Sequence, residues 1–305
     1  MQWENSQGVA WVAVDWGTSN LRIWLMSKTN QVIAEHQSDK GMSSLKAPIE
    51  FEHVLLDCLG PFLNEAHPLP VFCCGMVGAK QGWQDAGYAR VPHNPLKNQA
   101  PVEIRVQHKG LKVWVLPGLC QVEPFDVMRG EETQIAGVLC DNPDFTGVCC
   151  LPGTHSKWAL IKAGNVESFS SYMTGELFAL LSKQSVLKHS ITDEHWSDEV
   201  FNHSVAQALN APDQFLGELF SIRARDLLGD GAASYAKARL SGLLIGLELS
   251  GTKAWWQDKS VMLVGSGALQ SLYVKALQPL NCDLVLLDST PMTLAGLTSA
   301  YNQKG

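Results

Sequence analysis

A segment that reads strand, turn, strand, turn, strand occurs twice in the chain, and this repeat constrains the fold more than any other feature. The first copy covers residues 11–37 and the second covers residues 148–172. In both copies, apolar segments of strand length alternate with short clusters of turn-forming residues. Both copies have Gly-Thr in the first turn, a Trp in the second strand (Trp24 and Trp158) and a Lys at the start of the second turn. The repeat indicates two domains of similar design, each opening with a meander.

The first turn of the first copy, Gly17-Thr18-Ser19-Asn20, has two interpretations. In one, its backbone N–H groups and hydroxyls hold an anion, and Asp15 at the end of the preceding strand faces a metal ion. In the other, it is an ordinary surface hairpin, because Gly and Asn are common in turns. The recurrence of Gly-Thr at Gly153-Thr154 favours the phosphate-binding interpretation.

Composition limits the classes of partner. The chain has 305 residues, of which 46% are hydrophobic and 17% charged, enough for two domains with their own cores. The net charge of -7 and the lack of a Lys/Arg cluster argue against a nucleic-acid or membrane-surface binder. The N-terminal segment does not have the pattern of a signal peptide, and no apolar stretch is long enough to span a membrane. We therefore expect a soluble cytoplasmic protein that binds small molecules, with its eight cysteines reduced and in the core.

Beyond the repeats, strands and helices alternate, which predicts an α/β fold. An amphipathic helix is expected to begin near Gly130, and a βαβ unit is expected from Val261 to Leu287. A C-terminal helix is predicted from Pro291 to about Tyr301. Further helices are expected at 176–187, 198–209 and 239–256.

Gly265-Ser266-Gly267 follows the first strand of the βαβ unit. A dinucleotide fingerprint is excluded because Gln270 stands where its third glycine belongs, and the glycines of Gly75 to Lys80 lack the spacing of a P-loop. Two interpretations remain. Either a nucleotide approaches the glycine backbone at the helix N-terminus, or the glycines allow close packing of helix on strand.

Glu131 and Glu132 open the helix that follows Gly130. Carboxylates are favoured there by the helix dipole alone, which is one explanation. The other is that one of them accepts the proton of a substrate hydroxyl as a general base.

Together, the Asp15-x-Gly17-Thr18 turn, the Gly153-Thr154 turn and the late Gly-x-Gly segment resemble the phosphate-1, phosphate-2 and adenosine motifs of the superfamily of actin, heat-shock chaperones and sugar kinases. Within it, particular words are similar to those of the bacterial 2-dehydro-3-deoxygalactonokinases, and they span nearly the whole chain. These words are VDWGTSNLRIW, CCGMVGAKQGW, VLPGLC, MRGEETQ, LPGTHSKW, MTGEL and LSGLLIGLEL.

The resemblance implies two domains of duplicated ribonuclease H-like (actin-like ATPase) fold, with mixed sheets flanked by helices and a cleft between them. The first domain would comprise residues 1–135 together with the C-terminal helix 291–305, and the second residues 136–290. The implied activity is ATP- and Mg²⁺-dependent phosphorylation of 2-dehydro-3-deoxy-D-galactonate at its 6-hydroxyl, in galactonate catabolism. A homodimer is possible.

The resemblance also implies roles for residues. Sugar kinases of this superfamily take their catalytic Asp from a Gly-His-Asp-Thr segment, which corresponds here to Gly130-Glu131-Glu132-Thr133, so Glu132 is the expected base and Glu131 the alternative. Asp15 would lie near Mg²⁺. Residues expected at the phosphates are Gly17, Thr18, Ser19, Asn20, Gly153, Thr154, His155 and Lys157. Residues expected at the adenosine are Gly265, Ser266 and Gly267. Candidates for binding the sugar acid come from chemistry, since its carboxylate needs a cation or a cluster of N–H groups. They are Arg129, beside the presumed base, and the turn Gly75, Met76, Val77 and Gly78, with Trp83 as an apolar wall. The alternative is that these are packing or surface groups.

Two rival functions stay open at this point. One is a non-catalytic sugar-acid sensor on the same fold. The other is a superfamily ATPase or kinase with another acceptor, since acceptor pockets are built from loops that sequence patterns do not resolve.

Overall fold

The structure is a computed structural model that describes residues 8–97, 100–191, 195–229 and 235–304. Part of the N-terminal segment used for the signal-peptide prediction lies outside these residues, and so does Gly305. The strands are β1 Val9–Trp16, β2 Leu21–Ser27, β3 Val32–Ser38, β4 Leu69–Gly75, β5 Tyr88–Arg90, β6 Val102–Ile104, β7 Leu111–Val115, β8 Gly118–Val122, β9 Phe125–Met128, β10 Gly147–Leu151, β11 Ser156–Lys162, β12 Asn165–Tyr172, β13 Ser260–Gly265 and β14 Asp283–Asp288. The helices are α1 Pro48–Leu59, α2 Glu131–Asp141, α3 Thr174–Gln184, α4 Asp198–Asn210, α5 Phe215–Leu228, α6 Ala236–Gly251, α7 Lys253–Trp256, α8 Gly267–Leu277 and α9 Ser289–Lys304.

The chain divides into two compact units. Unit 1 contains residues 1–146, 161–168 and 289–305, and unit 2 contains residues 147–160 and 169–288. The division predicted at residue 135 falls inside α2, and this helix stays with unit 1 because it packs along α9. Among the residues that the structure describes, no helix combines the length and apolarity needed to cross a membrane.

The large sheet of unit 1 has the order β3-β2-β1-β4-β7-β6. The β1-β2-β3 meander is antiparallel, as its short turns require, and β4 and β7 then add parallel to β1. Alternate residues of β1 enter two different cores. Val12 and Val14 pack with α1 on one face, whereas Trp11 and Ala13 pack with α9 residues on the other.

The sheet of unit 2 repeats this arrangement with the order β12-β11-β10-β13-β14. Its meander comes first, and β13 and β14 then add parallel to β10. The two sheets confirm the predicted α/β class and the duplicated fold.

Several predictions about elements need correction. Helix α9 begins at Ser289 and not at Pro291. A proline is tolerated in the first turn of a helix, because the N–H group that it lacks would have no partner inside the helix there. Helices α1 and α5 and the small sheet β5-β8-β9 have no counterpart in the sequence prediction. The eight thiols are free as expected, but Cys140 is exposed on α2, which is contrary to the predicted core location of every cysteine.

Helices α2 and α9 cross with their backbones nearly in contact. A Cβ atom on Gly137 would lie 2.0 Å from the carbonyl oxygen of Met292, and one on Gly296 would lie 2.0 Å from that of Thr133. Any side chain at either position therefore forces the helices apart. Since Thr133 follows Glu132, this crossing also fixes the helix that carries the predicted base.

We predict that Gly296→Ala lowers the free energy of unfolding by about 1–3 kcal/mol, because the added methyl overpacks this crossing. The matched control is Gly217→Ala on α5, where an added Cβ meets no atom within 4 Å. That variant should be more stable than the wild type by about 0.5–1 kcal/mol. Denaturant unfolding of both variants measures the difference, and a Gly296→Ala protein as stable as the wild type would contradict the tight crossing.

Candidate active site

The candidate site of unit 1 lies at the carboxyl ends of β1 and β4. Asp15 and Cys74 are neighbours in the parallel register of these strands. The Cys74 Sγ lies 3.9 Å from Oδ1 of Asp15. Burial raises the pKa of the Cys74 thiol well above its usual value, and the charges of Asp15 and Glu132 raise it further. The influence of both carboxylates on one thiol shows that strand ends and helix start meet here, where ligands bind in open α/β sheets.

Asp15 forms an ion pair with Arg22, which the sequence analysis missed. Arg22 faces Asp15 across the β1-β2 ladder, and its guanidinium contacts the Oδ2 atom of the carboxylate. The same side chain donates a 3.2 Å hydrogen bond to Oγ1 of Thr290 and lies 5.5 Å from the ring centre of Trp24. Arg22 therefore holds the carboxylate in place.

Glu132 is a buried carboxyl at the start of α2. It is 5% exposed, and its Oε2 accepts a 2.7 Å hydrogen bond from the N–H of Gly130. Its Oε1 accepts a 3.1 Å bond from the hydroxyl of Thr133. Burial raises the pKa of Glu132 to about 8, and the charge of Glu131 adds to the shift. A carboxyl of this kind can exchange a proton near neutral pH.

Glu131 has a different environment from its neighbour. It is only partly buried, and its Oε2 accepts a 3.0 Å hydrogen bond from the backbone N–H of Arg129. Of the two carboxyls, it is Glu132 whose charge acts on Cys74.

Glu132 and Thr133 line a small cavity of about 20 Å³. The other lining residues are Ala89, His93, Pro95, Leu116, Pro117, Gly118 and Leu119. None of these was a candidate from the sequence, although four of them lie in the word VLPGLC. The cavity has room beside the buried carboxyl for a group about the size of a water molecule or a hydroxyl.

The predicted substrate residues divide into two environments. Gly75 has φ of 88°, and a Cβ atom there would lie 2.7 Å from the carbonyl oxygen of Trp16, so this turn requires glycine. The 3₁₀ turn Met76–Gly78 follows it. Trp83, by contrast, is a core residue whose ring is stacked on that of Phe51 at 6.0 Å.

Arg129 is buried with part of its guanidinium unpaired. It is 9% exposed, its Nη2 donates a 2.8 Å hydrogen bond to the carbonyl of Gly87, and its guanidinium lies 4.3 Å from the ring centre of Tyr88. Its Nε and Nη1 atoms have no hydrogen-bond partner among the described residues. A buried cation with free donors is costly unless an anionic ligand completes it.

The first predicted phosphate turn is held by the segment that follows β3. The N–H groups of Met42 and Ser43 donate to the carbonyls of Gly17 and Thr18, at 3.0 and 2.9 Å. Gly41 packs so closely that a Cβ atom there would lie 2.3 Å from the backbone of Ser19. Residues 18–20 are exposed, so the turn is rigid at its base and open at its tip.

The second predicted phosphate turn, in unit 2, lies against the start of α3. The N–H of Glu176 donates a 2.9 Å bond to the carbonyl of Thr154, and Nε2 of His155 lies 2.5 Å from Oε2 of Glu176. Lys157 is buried in β11, two residues after His155.

A cavity of about 190 Å³ adjoins this turn within unit 2. Its lining is mainly apolar and comes from α3, α6 and α8, together with Gly153 and Trp196. The predicted adenosine residues lie at the start of α8, where Ser266 and Gly267 are exposed and Gly265 is buried. Gln270 donates hydrogen bonds to the carbonyls of Leu263 and Leu287, at 3.2 and 3.0 Å, and so ties the ends of β13 and β14 together. Its apolar lining with a few polar groups is the character of a small-molecule site.

Metal binding was predicted at Asp15 alone. Within the ranges that the structure describes, there is no group of three or more His, Cys, Asp or Glu side chains suited to hold a metal ion. Mg²⁺ in phosphoryl-transfer sites needs only one or two carboxylates, because waters and substrate phosphates supply its other ligands. The donor set at Asp15 fits that type of site and no other.

Comparison with known proteins gives consistent results. Residues 15–300 match the family model described as 2-keto-3-deoxy-galactonokinase. A Rhizobium meliloti protein named probable 2-dehydro-3-deoxygalactonokinase is 38% identical over 296 residues, which cover 95% of this chain and 96% of the relative. The Escherichia coli 2-dehydro-3-deoxygalactonokinase is 31% identical over 294 residues, with the same coverage. The crystal structure of a Sinorhizobium meliloti protein described as a putative 2-dehydro-3-deoxygalactonokinase has a TM-score of 0.87, with 38% identity and 96% coverage of both chains.

The duplicated α/β fold, the buried carboxyl at a helix N-terminus and these matches define the class of protein as a carbohydrate kinase. Its cosubstrate is therefore ATP. More narrowly, the chain belongs to the 2-keto-3-deoxy-galactonokinase family.

The raised pKa of Glu132 predicts a pH-dependent stability difference between the wild type and Glu132→Gln. In the folded protein Glu132 keeps its proton up to about pH 8, whereas the ordinary pKa of a Glu carboxyl is 4.5. The stability that this bound proton contributes is therefore complete below pH 4.5 and is lost as the pH rises through 8. The neutral amide does not undergo this loss. Glu132→Gln should therefore gain stability over the wild type between these values, on the order of a few kcal/mol by pH 8.

Urea unfolding at several pH values tests this prediction. Glu123→Gln, at an exposed carboxylate between β8 and β9, is the matched control and should show no such trend. A constant difference between Glu132→Gln and the wild type from pH 5 to 9 would contradict the raised pKa.

Proposed function

We propose that this protein transfers the γ-phosphoryl group of ATP to the terminal 6-hydroxyl of 2-dehydro-3-deoxy-D-galactonate, with Glu132 as the general base. The observation that carries the proposal is the buried carboxyl of Glu132 at a helix start, whose pKa burial raises to about 8 and which lines a small cavity. The names of the relatives support the choice of substrate.

In this mechanism the ionised Glu132 accepts the proton of the 6-hydroxyl. The hydroxyl oxygen forms a bond to the γ-phosphorus, the bond from the γ-phosphorus to the β,γ-bridging oxygen breaks, and ADP leaves with the bonding electrons. A base is most effective when its pKa is close to the working pH, and burial gives Glu132 such a pKa. We place the reacting hydroxyl in the cavity that Glu132 lines.

Arg129 is our candidate for the carboxylate of the sugar acid. Its Nε and Nη1 atoms are buried and unpaired, and each can donate a charge-assisted hydrogen bond to a carboxylate. The turn from Gly75 to Gly78 is packed on Arg129, since a Cβ on Gly78 would lie 2.8 Å from Nη1. Trp83 then acts behind this turn as a core support and not as a wall of the pocket.

We assign each part of the nucleotide to the residues whose chemistry suits it. The adenosine occupies the apolar cavity of unit 2, next to the start of α8 at Gly265 to Gly267. The turns Gly17 to Asn20 and Gly153 to His155 bind the phosphates through backbone N–H groups and hydroxyls, and Lys157 adds positive charge. Asp15, oriented by Arg22, would contribute a protein oxygen to Mg²⁺, which neutralises charge on the transferring phosphoryl group when bound.

Two other functions remain as outcomes of the test. A sensor without chemistry has no need of a carboxyl poised to titrate near neutral pH, so Glu132 argues against it. A kinase with a different acceptor would share the nucleotide site and the base. The cytoplasmic location and the homodimer stay predictions.

The acceptor prediction is tested with an ATP-coupled assay on keto-deoxy sugar acids, aldonates and neutral sugars. We expect turnover with 2-dehydro-3-deoxygalactonate, and an increase of about 10-fold to 100-fold in its KM for Arg129→Met, since hydrogen bonds between charged groups are lost. Arg129→Lys keeps the charge but not the planar set of N–H donors, so its KM should lie between those of the wild type and of Arg129→Met.

A neutral sugar as the best acceptor would refute the proposed substrate. An unchanged KM in Arg129→Met would move the carboxylate site elsewhere. ATP consumption without any acceptor would indicate an ATPase, and binding of the acid without turnover would indicate a sensor.

The base prediction is tested kinetically. Glu132→Gln should lower kcat by about 10²-fold to 10⁴-fold and leave the Kd for ATP unchanged, because a positioned base acts on the chemical step alone. In the wild type, kcat/KM should rise with pH and level off near pH 8, and this rise should be absent in the residual activity of the variant. Glu131→Gln is the control. A larger loss of kcat in that variant than in Glu132→Gln would reverse the assignment.

A further inference from the structure

Two of the words that carry the family resemblance, MTGEL (173–177) and LSGLLIGLEL (240–249), contain none of the site residues predicted from the sequence. In the structure they meet at one buried side chain, Glu248 of α6, which is 2% exposed. Thr174, the first residue of α3, donates its hydroxyl hydrogen bond to Oε2 of Glu248. The two words therefore form one contact inside unit 2.

Glu248 is the centre of a side-chain network. Its Oε1 accepts a 2.7 Å bond from Nε1 of Trp158, and its Oε2 also accepts a 2.7 Å bond from the hydroxyl of Tyr273. The Tyr273 hydroxyl in turn lies 2.8 Å from that of Ser156. The network joins β11, α3, α6 and α8. Since a buried carboxyl is tolerated only with such partners, each member constrains the others.

The network adjoins the proposed nucleotide site. Thr174 and Tyr273 line the 190 Å³ cavity of unit 2. Gly175, next in the chain, packs on the second phosphate turn so closely that a Cβ atom there would lie 2.4 Å from the carbonyl oxygen of Gly153. Glu176 then contacts this turn twice, through its N–H to Thr154 and through its carboxylate to His155.

We propose that Glu248 is a positioning residue for the nucleotide: through Thr174 it fixes the first turn of α3, and this turn sets the geometry of the Gly153 to His155 phosphate turn. The inference rests on the proposed nucleotide site in unit 2. It assigns the two words a shared purpose, which is to make ATP affinity depend on Glu248, a side chain that does not line the nucleotide cavity.

The competing explanation is that Glu248 only stabilises the core, and the chain contains a matched control for it. Glu52 of α1, in unit 1, is 3% exposed and accepts hydrogen bonds from the backbone N–H groups of Gln107 and His108. Loss of either buried carboxylate costs stability, but only Glu248 contacts the elements of the nucleotide site.

The experiment compares Glu248→Leu, Glu248→Gln and Glu52→Leu by steady-state kinetics, ADP titration calorimetry and thermal unfolding. We expect Glu248→Leu to raise the KM for ATP and the Kd for ADP by about 10-fold or more, with less than about 2-fold change in the KM of the sugar acid. Glu248→Gln, which keeps an oxygen for Trp158 and can donate to the hydroxyls, should recover most of the affinity. Glu52→Leu should lower the unfolding temperature with an unchanged KM for ATP.

If Glu248→Leu does not fold, Thr174→Val and Thr174→Ser replace it, because the first removes a single donor and the second retains it. Weaker ADP binding in Thr174→Val but not in Thr174→Ser supports the proposal. Normal ADP binding in folded Glu248→Leu or in Thr174→Val overturns it, as does an equal loss of ADP binding in Glu52→Leu. Since ADP binding is measured without transfer, a wild type that does not phosphorylate the sugar acid refutes the proposed function and leaves this test intact.

Discussion

The close approach of helix α2 to the carboxyl edge of the first sheet is the constraint on which the candidate site depends. Gly130 has φ of 103°, and a Cβ atom there would lie 3.4 Å from the Cα of Gly75. With glycine at both positions, the helix starts almost in contact with the strand end. Glu132 is thereby removed from water, and the loss of hydration raises its pKa. Its titration near neutral pH is therefore a consequence of backbone packing.

Charge at the site is arranged locally, against the overall charge of the chain. The net charge of -7 disfavours anionic ligands at long range. At short range, Arg22 pairs with Asp15, whereas Arg129 keeps two buried donors unpaired. One arginine thus orients an acidic side chain, and the other has donors left for an anionic ligand. The sequence singled out Arg129 by its place beside the presumed base, but the role of Arg22 required the strand register.

The parts of the fold that sequence predicted are those set by local signals. Turn formers and apolar runs of strand length define the two meanders within about 25 residues each. The small sheet escaped prediction because it pairs Tyr88 with Gly118, far apart in the chain and in strands of only three and five residues. Helix α5 escaped because large apolar residues such as Leu216 and Phe220 face outward, so its pattern does not mark a buried face. Trp83 was assigned to a pocket because an aromatic beside a glycine-rich turn suggests a wall, and only packing shows that it is stacked on Phe51.

The surroundings of the two buried carboxyls also depend on tertiary contacts that the sequence does not show. Comparing them indicates what separates the proposed reactive group from the proposed positioning group. Burial raises the pKa of Glu132 and of Glu248 alike. Glu248, however, has hydrogen bonds from Trp158, Thr174 and Tyr273, which hold its oxygens and oppose the shift. Among the described residues, Glu132 is hydrogen-bonded by Gly130 and Thr133, its neighbours in the chain, and it lines a cavity. In our proposal, burial therefore gives one carboxyl that exchanges a proton with a ligand and one that orients its partners, and the difference lies in the donors that the tertiary fold supplies.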